Sequence, residues 1–241
     1  MSEHPLSLET LERLKTVSVA TLATALYKRG LRSQVIQDVH PLQRKGRNMV
    51  GPAFTLRYMP AREDRNQLVE FRNPKHPQRH AIETCPPGHV MVMDSRKSAT
   101  AASAGDILIT RLMVRGAAGV VTDGGFRDAM NIGELEMPSY HNRPSSPTNL
   151  TTNEAIDINV PIGCGDAPVF PGDIIVGDDD SVIVIPAHMA DEVAIEAVEM
   201  TAFEDFALSK VQDGATITGL YPATKEENLK EFDEWRAKNG R

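Results

Sequence analysis

The stretch from His89 to Gly125 constrains the fold more than any other part of the chain. His89 to Met93 is a short, near-continuous apolar run ending in Asp94. From Gly105, the residues Ile107, Leu108, Leu112, Met113 and Val114 fall at helical spacing as far as Gly116. Gly119-Val120-Val121-Thr122 then reads as a buried strand, followed by Asp123-Gly124-Gly125. A strand, a helix and a second strand in this succession form a parallel crossover unit, because a tight turn can join only antiparallel strands. The expected class is therefore α/β, in which ligands bind at the carboxyl ends of the strands.

The flanking segments fit that class. Leu8 to Arg29 has a period close to 3.6 and stops at Gly30, which predicts one opening helix. Met49 to Met59 alternates like a strand and is broken at Gly51-Pro52. Asp173 to Val176 and Val182 to Ile185 flank a polar turn and predict a hairpin, and Ala190 to Val211 and Lys225 to Lys238 predict two closing helices. Residues 134–160 are polar and proline-rich without a clear period, although Met137-Pro138-Ser139-Tyr140 reads as a strand leading to His141. With no repeat and no long linker, residues 1–241 are expected to make one domain with mobile excursions at about 59–87 and 139–157. A domain of that size buries about three quarters of its unfolded surface and needs no disulfide or structural zinc, so Cys85 and Cys164 are read as free thiols.

A net charge of -7 without a basic stripe argues against nucleic acid as a partner. No stretch approaches the roughly 20 apolar residues of a membrane span, and Met1 to Leu8 lacks the pattern of a leader; a soluble, cytoplasmic protein is expected. The chain contains no Gly-x-x-x-x-Gly-Lys loop, no Gly-x-Ser-x-Gly elbow and no His-Glu-x-x-His pair. Its lysines sit in polar contexts, unsuited to the desolvated amine of a Schiff-base enzyme.

What remains is the cluster Val121-Thr122-Asp123-Gly124-Gly125-Phe126-Arg127-Asp128 at the exit of the crossover. The paired glycines let backbone N–H groups approach an anion. Arg127 offers a planar fork for a carboxylate and Asp128 hard oxygen ligands for Mg²⁺. A glycine turn followed by a surface Arg–Asp pair is the plainer alternative. Asp106 lies 20 intervening residues (107 to 126) before Arg127, and one crossover brings a helix start and the next strand's exit to the same edge. The free N–H groups of Ile107 and Leu108, just after Gly105, would face the same cleft as an anion site.

These residues resemble the metal-dependent pyruvate aldolases that act on 4-hydroxy-4-methyl-2-oxoglutarate and 4-carboxy-4-hydroxy-2-oxoadipate, with their RraA-like relatives. The family pattern of Asp, 20 residues, Arg-Asp is matched by Asp106, Arg127 and Asp128. Gly51-Pro52-Ala53-x-Thr55, Gly116-x-x-Gly119 through Gly125, and Pro171-Gly172-Asp173 leading to Val182–Pro186 also match. The resemblance implies an α/β/β/α swivelling-domain sandwich, a homotrimer or a hexamer built as a dimer of trimers, and active sites at subunit boundaries. It makes Asp128 the ligand of Mg²⁺ or Mn²⁺ and gives Arg127 the pyruvyl oxygen and the enolate. Asp106 holds a metal-bound or catalytic water, while Gly105 with the Ile107 and Leu108 amides binds the substrate carboxylate. Glu204, with Asp205 as the fallback, would be the acidic residue that a neighbouring subunit adds.

The implied activity is retro-aldol cleavage of a 4-hydroxy-2-oxo acid to pyruvate, with oxaloacetate decarboxylation alongside. The excursions exceed the short connections of the aldolases, so dehydration of a sugar-acid-derived 2-oxo acid is an alternative. A non-catalytic ribonuclease inhibitor of the RraA type is another. Residues 59–87, rich in arginine, are expected either to close over the cleft and read the distal end of the substrate or to pack on a neighbouring subunit. Asp178-Asp179-Asp180 reads as a solvated hairpin tip, His141 as a structural histidine and Cys164 as buried and inert.

Overall fold

The computed structural model describes residues 6–241; Met1 to Pro5, part of the stretch read above for a leader, lie outside the described residues. Its helices are α1 (Leu8–Leu14), α2 (Val19–Lys28), α3 (Pro77–Thr84), α4 (Asp106–Val114), α5 (Ala129–Glu134), α6 (Ala190–Gln212) and α7 (Glu226–Asn239). A nine-stranded mixed sheet is organised around the long strand Met49–Pro60. On one side this strand pairs in parallel with Val90–Asp94, which pairs in parallel with Gly119–Thr122, so the crossover is present with α4 inside it. On the other side its first half pairs antiparallel with Ile174–Gly177, the first arm of the hairpin to Val182–Ile185. Its second half pairs antiparallel with Asn153–Ile158.

The alternation of side chains along these strands sorts the apolar residues into separate cores. Val90, Val92, Val182 and Val184 point into an inner core, where they meet Val121 and Ile175 from other strands of the same sheet; the sheet is therefore curled over on itself. Met91 and Met93 point outward against Ile82 of α3 and Ile109 and Leu112 of α4. Ile183 and Ile185 point outward on the opposite side, against Leu22 and Leu26 of α2 and Val193 and Ala197 of α6. This is the α/β/β/α layering. Each fully buried side chain of this size contributes about 1.5–3 kcal/mol relative to exposure.

Four local expectations need correction. The opening helix is two helices, α1 and α2: the first ends at Leu14 with Lys15 as its C-cap, and Ser18 caps the next, its Oγ accepting the Thr21 N–H at 3.1 Å while Asp178 accepts the Val19 N–H at 2.8 Å. The strand Met49–Pro60 continues through Gly51-Pro52, where a Cβ on Gly51 would collide with the carbonyl of Gly88. Residues 134–160 hold the strand expected near 137–140, at Ser139–His141, but also strands at Arg143–Pro144 and Asn153–Ile158 that no period announced. Finally, neither excursion is a loose loop. Residues 59–87 contain a 3-10 turn at Leu68–Arg72 and α3, whose Ala81 and Ile82 enter the core, and Glu83 accepts the Arg111 fork at 3.0 and 2.8 Å. Among the described residues, no helix is long and apolar enough to cross a membrane.

Candidate active site

A small three-stranded sheet places the site. Ala102–Ala104 pairs in parallel with Gly125–Phe126, which pairs with Arg143–Pro144, and the Arg127 N–H donates to the Ala104 carbonyl at 3.1 Å. Two chain segments therefore leave this sheet side by side: Gly105-Asp106 entering α4, and Arg127-Asp128 entering α5. The 20-residue spacing seen in the sequence is the length of this crossover.

Gly105 stands before α4 without a capping side chain, and the N–H groups of Asp106 and Ile107 have no acceptor among the described residues. The Leu108 N–H is already used, donating to the Gly105 carbonyl at 3.1 Å, so the pair of open amides lies one residue earlier than the sequence suggests. Asp106 is oriented by Asn131, whose Nδ2 donates to its Oδ2 at 2.9 Å. Asp128 adopts a left-handed conformation (φ 56°, ψ 35°) at the head of α5 and does not cap that helix with its side chain. Such a backbone is costly for a residue other than glycine, and here it leaves the carboxylate free at the surface of the cleft, 3.4 Å from Arg127 Nε.

Gly105 to Leu108, Arg127 and Asp128 line one side of a cavity of about 380 Å³, within the range of small-molecule sites. The two excursions supply further lining: Leu68, Phe71, Gln78 and Arg79 from one, Thr148 and Asn149 from the other. Sequence reasoning pointed to the arginine-rich excursion, whose arginines include Arg79, but not to Thr148, Asn149 or Asn131. The signal available was the polar content of both segments.

The donor set can be tested against a divalent cation. Among the described residues, no group of three or more His, Cys, Asp or Glu side chains is arranged to hold a metal, which argues against a closed zinc-type cage. Asp128 offers one accessible carboxylate, Asp106 stands on the neighbouring segment, and the missing Cβ of Gly105 leaves room beside Asp128 Oδ2, which it would approach at 3.2 Å. One direct carboxylate with room for waters suits Mg²⁺ or Mn²⁺.

Other candidates fall elsewhere. Glu204 does not line this cavity in its own chain: its Oε2 accepts from Thr21 Oγ1 at 2.7 Å and its Oε1 from the Tyr221 hydroxyl at 3.3 Å. Asp205 pairs with Arg241. The expected anion nest at Gly124-Gly125 is not one. Both glycines are buried, the Gly124 N–H donates to Thr122 Oγ1 at 3.0 Å, and a Cβ there would stand 2.6 Å from Ser103 Oγ. They are glycines because chains pack against them. Asp123 is fully buried, accepting the N–H groups of Ser95, Lys97 and Gly165 at 2.7, 3.0 and 3.2 Å, and burial raises its pKa. His141 is buried and stacked on Phe126, and Cys164 is buried with its thiol pKa pushed far up. Asp178 is a capping residue of its hairpin tip and of α2.

Comparison with known proteins agrees with this architecture. A sequence model of the family described as Aldolase/RraA matches residues 19–184. A Halalkalibacterium halodurans protein named as a candidate 4-hydroxy-4-methyl-2-oxoglutarate aldolase is 33% identical over 141 residues, covering 58% of this chain and 67% of the relative. Protein DlpA of Legionella pneumophila is 24% identical over 207 residues, 86% of this chain but only 32% of that longer protein. Among solved structures, Streptomyces coelicolor RraAS2, described as an unusual member of the RNase ES inhibitor RraA protein family, superposes with a TM-score of 0.75. It is 29% identical, over 86% of this chain and 98% of that one. With the family model covering residues 19–184 and the same fold in RraAS2, the chain belongs to the Aldolase/RraA family.

Proposed function

We propose that the chain is a divalent-metal-dependent lyase that cleaves a 4-hydroxy-2-oxo acid to pyruvate, with oxaloacetate decarboxylation as a side activity. The observation that carries this reading is the convergence of Asp106, Arg127, Asp128 and two open amides on one cavity. Cleavage breaks the C3–C4 bond as the 4-hydroxyl loses its proton, leaving a carbonyl compound and the enolate of pyruvate, which is then protonated at C3. Asp128 would hold a divalent cation, whose positive charge would lower the energy of that enolate. Arg127 binds the 2-oxo oxygen with its fork and stabilises the same charge. The Asp106 and Ile107 N–H groups take the carboxylate at the N-terminus of α4. Asp106, held by Asn131, positions the water that receives the hydroxyl proton. No lysine is among the residues lining the cavity, which supports a non-covalent route.

A second reading draws on the polar wall of Gln78, Thr148 and Asn149, which suits a hydroxyl-rich substrate: dehydration of a sugar-acid-derived 2-oxo acid through the same enolate. The relative described as an RNase-inhibitor family member raises a binding role, but a protein that only docks a partner has no evident use for this cluster. Assay of pyruvate release from a panel of 4-hydroxy-2-oxo acids and oxaloacetate, with EDTA and with added Mg²⁺ or Mn²⁺, separates these readings. Metal-dependent pyruvate release is expected. Borohydride trapping of a covalent pyruvate adduct, or turnover indifferent to EDTA, would overturn the proposal.

A further inference from the structure

We propose that Arg79 is a second anion-binding residue of this cavity and that it selects 2-oxo acids carrying a second negatively charged group. The assignment rests on the reading of the cavity as a 2-oxo acid site and names what the lining from residues 59–87 recognises.

The first observation is that Arg79 lines the cavity with most of its fork unused. Its Nε donates to the Phe71 carbonyl at 3.0 Å and its guanidinium lies over the Phe71 ring, 4.3 Å from Cζ to the centroid. Its two terminal nitrogens have no hydrogen-bond partner, and it forms no ion pair, among the described residues. Arg79 is partly buried, and a guanidinium drawn partly out of water gains from an anion that compensates its charge. Burial accordingly disfavours its charged form.

The second observation is that its position is fixed relative to the reacting end. Gln78, only 2% exposed, donates from Nε2 to the Ser103 carbonyl at 2.6 Å, and Ser103 belongs to the strand that leads into Gly105 and Asp106. The Glu83–Arg111 fork ties α3 to α4 from outside. Arg127 is held to the same strand through its bond to Ala104. Both arginines are thus positioned from one short strand, and both line the cavity. A stacked guanidinium with both terminal nitrogens free is preorganised for a carboxylate.

The test is binding, read by calorimetry on the full chain with Mg²⁺ present. The probes are 2-oxoglutarate and 2-oxopentanoate, which share a five-carbon chain and differ in the distal carboxylate, with oxalate reporting on the Arg127 end. The wild type is expected to favour 2-oxoglutarate by about 10-fold or more, the usual worth of a charged hydrogen bond. Arg79→Met should abolish that preference with oxalate binding unchanged, and Arg79→Lys should recover part of it. A wild type without the preference, an Arg79→Met variant that keeps it, or one that weakens all three ligands alike would overturn the assignment. If the preference and its loss are observed while no 4-hydroxy-2-oxo acid yields pyruvate, the lyase reading fails and the role of Arg79 stands.

Discussion

The side chain of Arg127 lies directly across Gly105: a Cβ at Gly105 would stand 2.8 Å from Arg127 Cγ. The backbone of Gly105 is extended, so glycine is required there by the close approach and not by a positive φ. Gly105→Ala should therefore move the arginine without disturbing the core. We expect kcat/KM for pyruvate release to fall on the order of 10-fold or more, since small displacements of a positioned group are costly in turnover. The melting temperature should not change. Equal activity in the variant would show that the arginine adapts and that its placement is not critical.

Arg127→Lys tests the same group by chemistry instead of position. The ammonium keeps the charge but loses the planar fork, and the exposed position makes the substitution neutral for folding. A fall of about 100-fold or more in kcat/KM is expected, as for the removal of other preorganised transition-state donors. A variant as active as the wild type would place Arg127 outside the chemistry.

The parts of this architecture that could be read from sequence are those with local signals. The crossover could be read because a short apolar run, a helical period and a second run lie within one stretch, and Arg127-Asp128 could be found because crossover geometry fixes their distance from Asp106. The lining that comes from the excursions had no such signal. α3 is short, begins at Pro77 and buries only Gln78, Ala81 and Ile82, so nothing in its pattern says which way Arg79 points. The strand Asn153–Ile158 is half-buried along most of its length and shifts register between Ala155 and Asp157, which blurs the alternation. Gly124-Gly125 misled for a different reason: glycine serves close packing and anion binding alike, and only the positions of Ser95 and Ser103 decide between them.

His141 predicts a pH dependence of stability. Burial, and then the neighbouring His40, push its pKa from 6.5 down to about 4, and its Nδ1 has no partner among the described residues. The folded protein keeps the ring neutral, whereas the unfolded chain takes up a proton below about 6.5. Stability from this group is therefore complete above that pH, is lost as pH falls toward 4, and levels off below it. The loss is on the order of 2–3 kcal/mol across the window. Denaturant midpoints at pH 7.5 and 5 should differ less for His141→Phe than for the wild type. An identical slope for both proteins would assign the acid sensitivity to other groups.

The last prediction concerns the acidic residue that the resemblance draws from a neighbouring subunit. Within one chain Glu204 is engaged by Thr21 and Tyr221 and does not reach the cavity, so any role at Asp128 needs a second copy. The rim of the cavity is consistent with such a cover. Ile107 and Met130 are 81% and 83% exposed on the two segments that carry Asp106 and Asp128, an unusual place for large apolar side chains unless something packs on them. Light scattering should return a trimer or hexamer. Asp128→Ala and Glu204→Ala should each abolish pyruvate release in uniform assemblies. Co-expressing the two variants should restore it, because mixed assemblies contain sites in which one subunit supplies an intact Asp128 and its neighbour an intact Glu204. A monomer at working concentrations would sink the shared-site idea altogether. Full activity in uniform Glu204→Ala assemblies would remove Glu204 alone and pass the same test to Asp205, whose present partner Arg241 would have to be displaced.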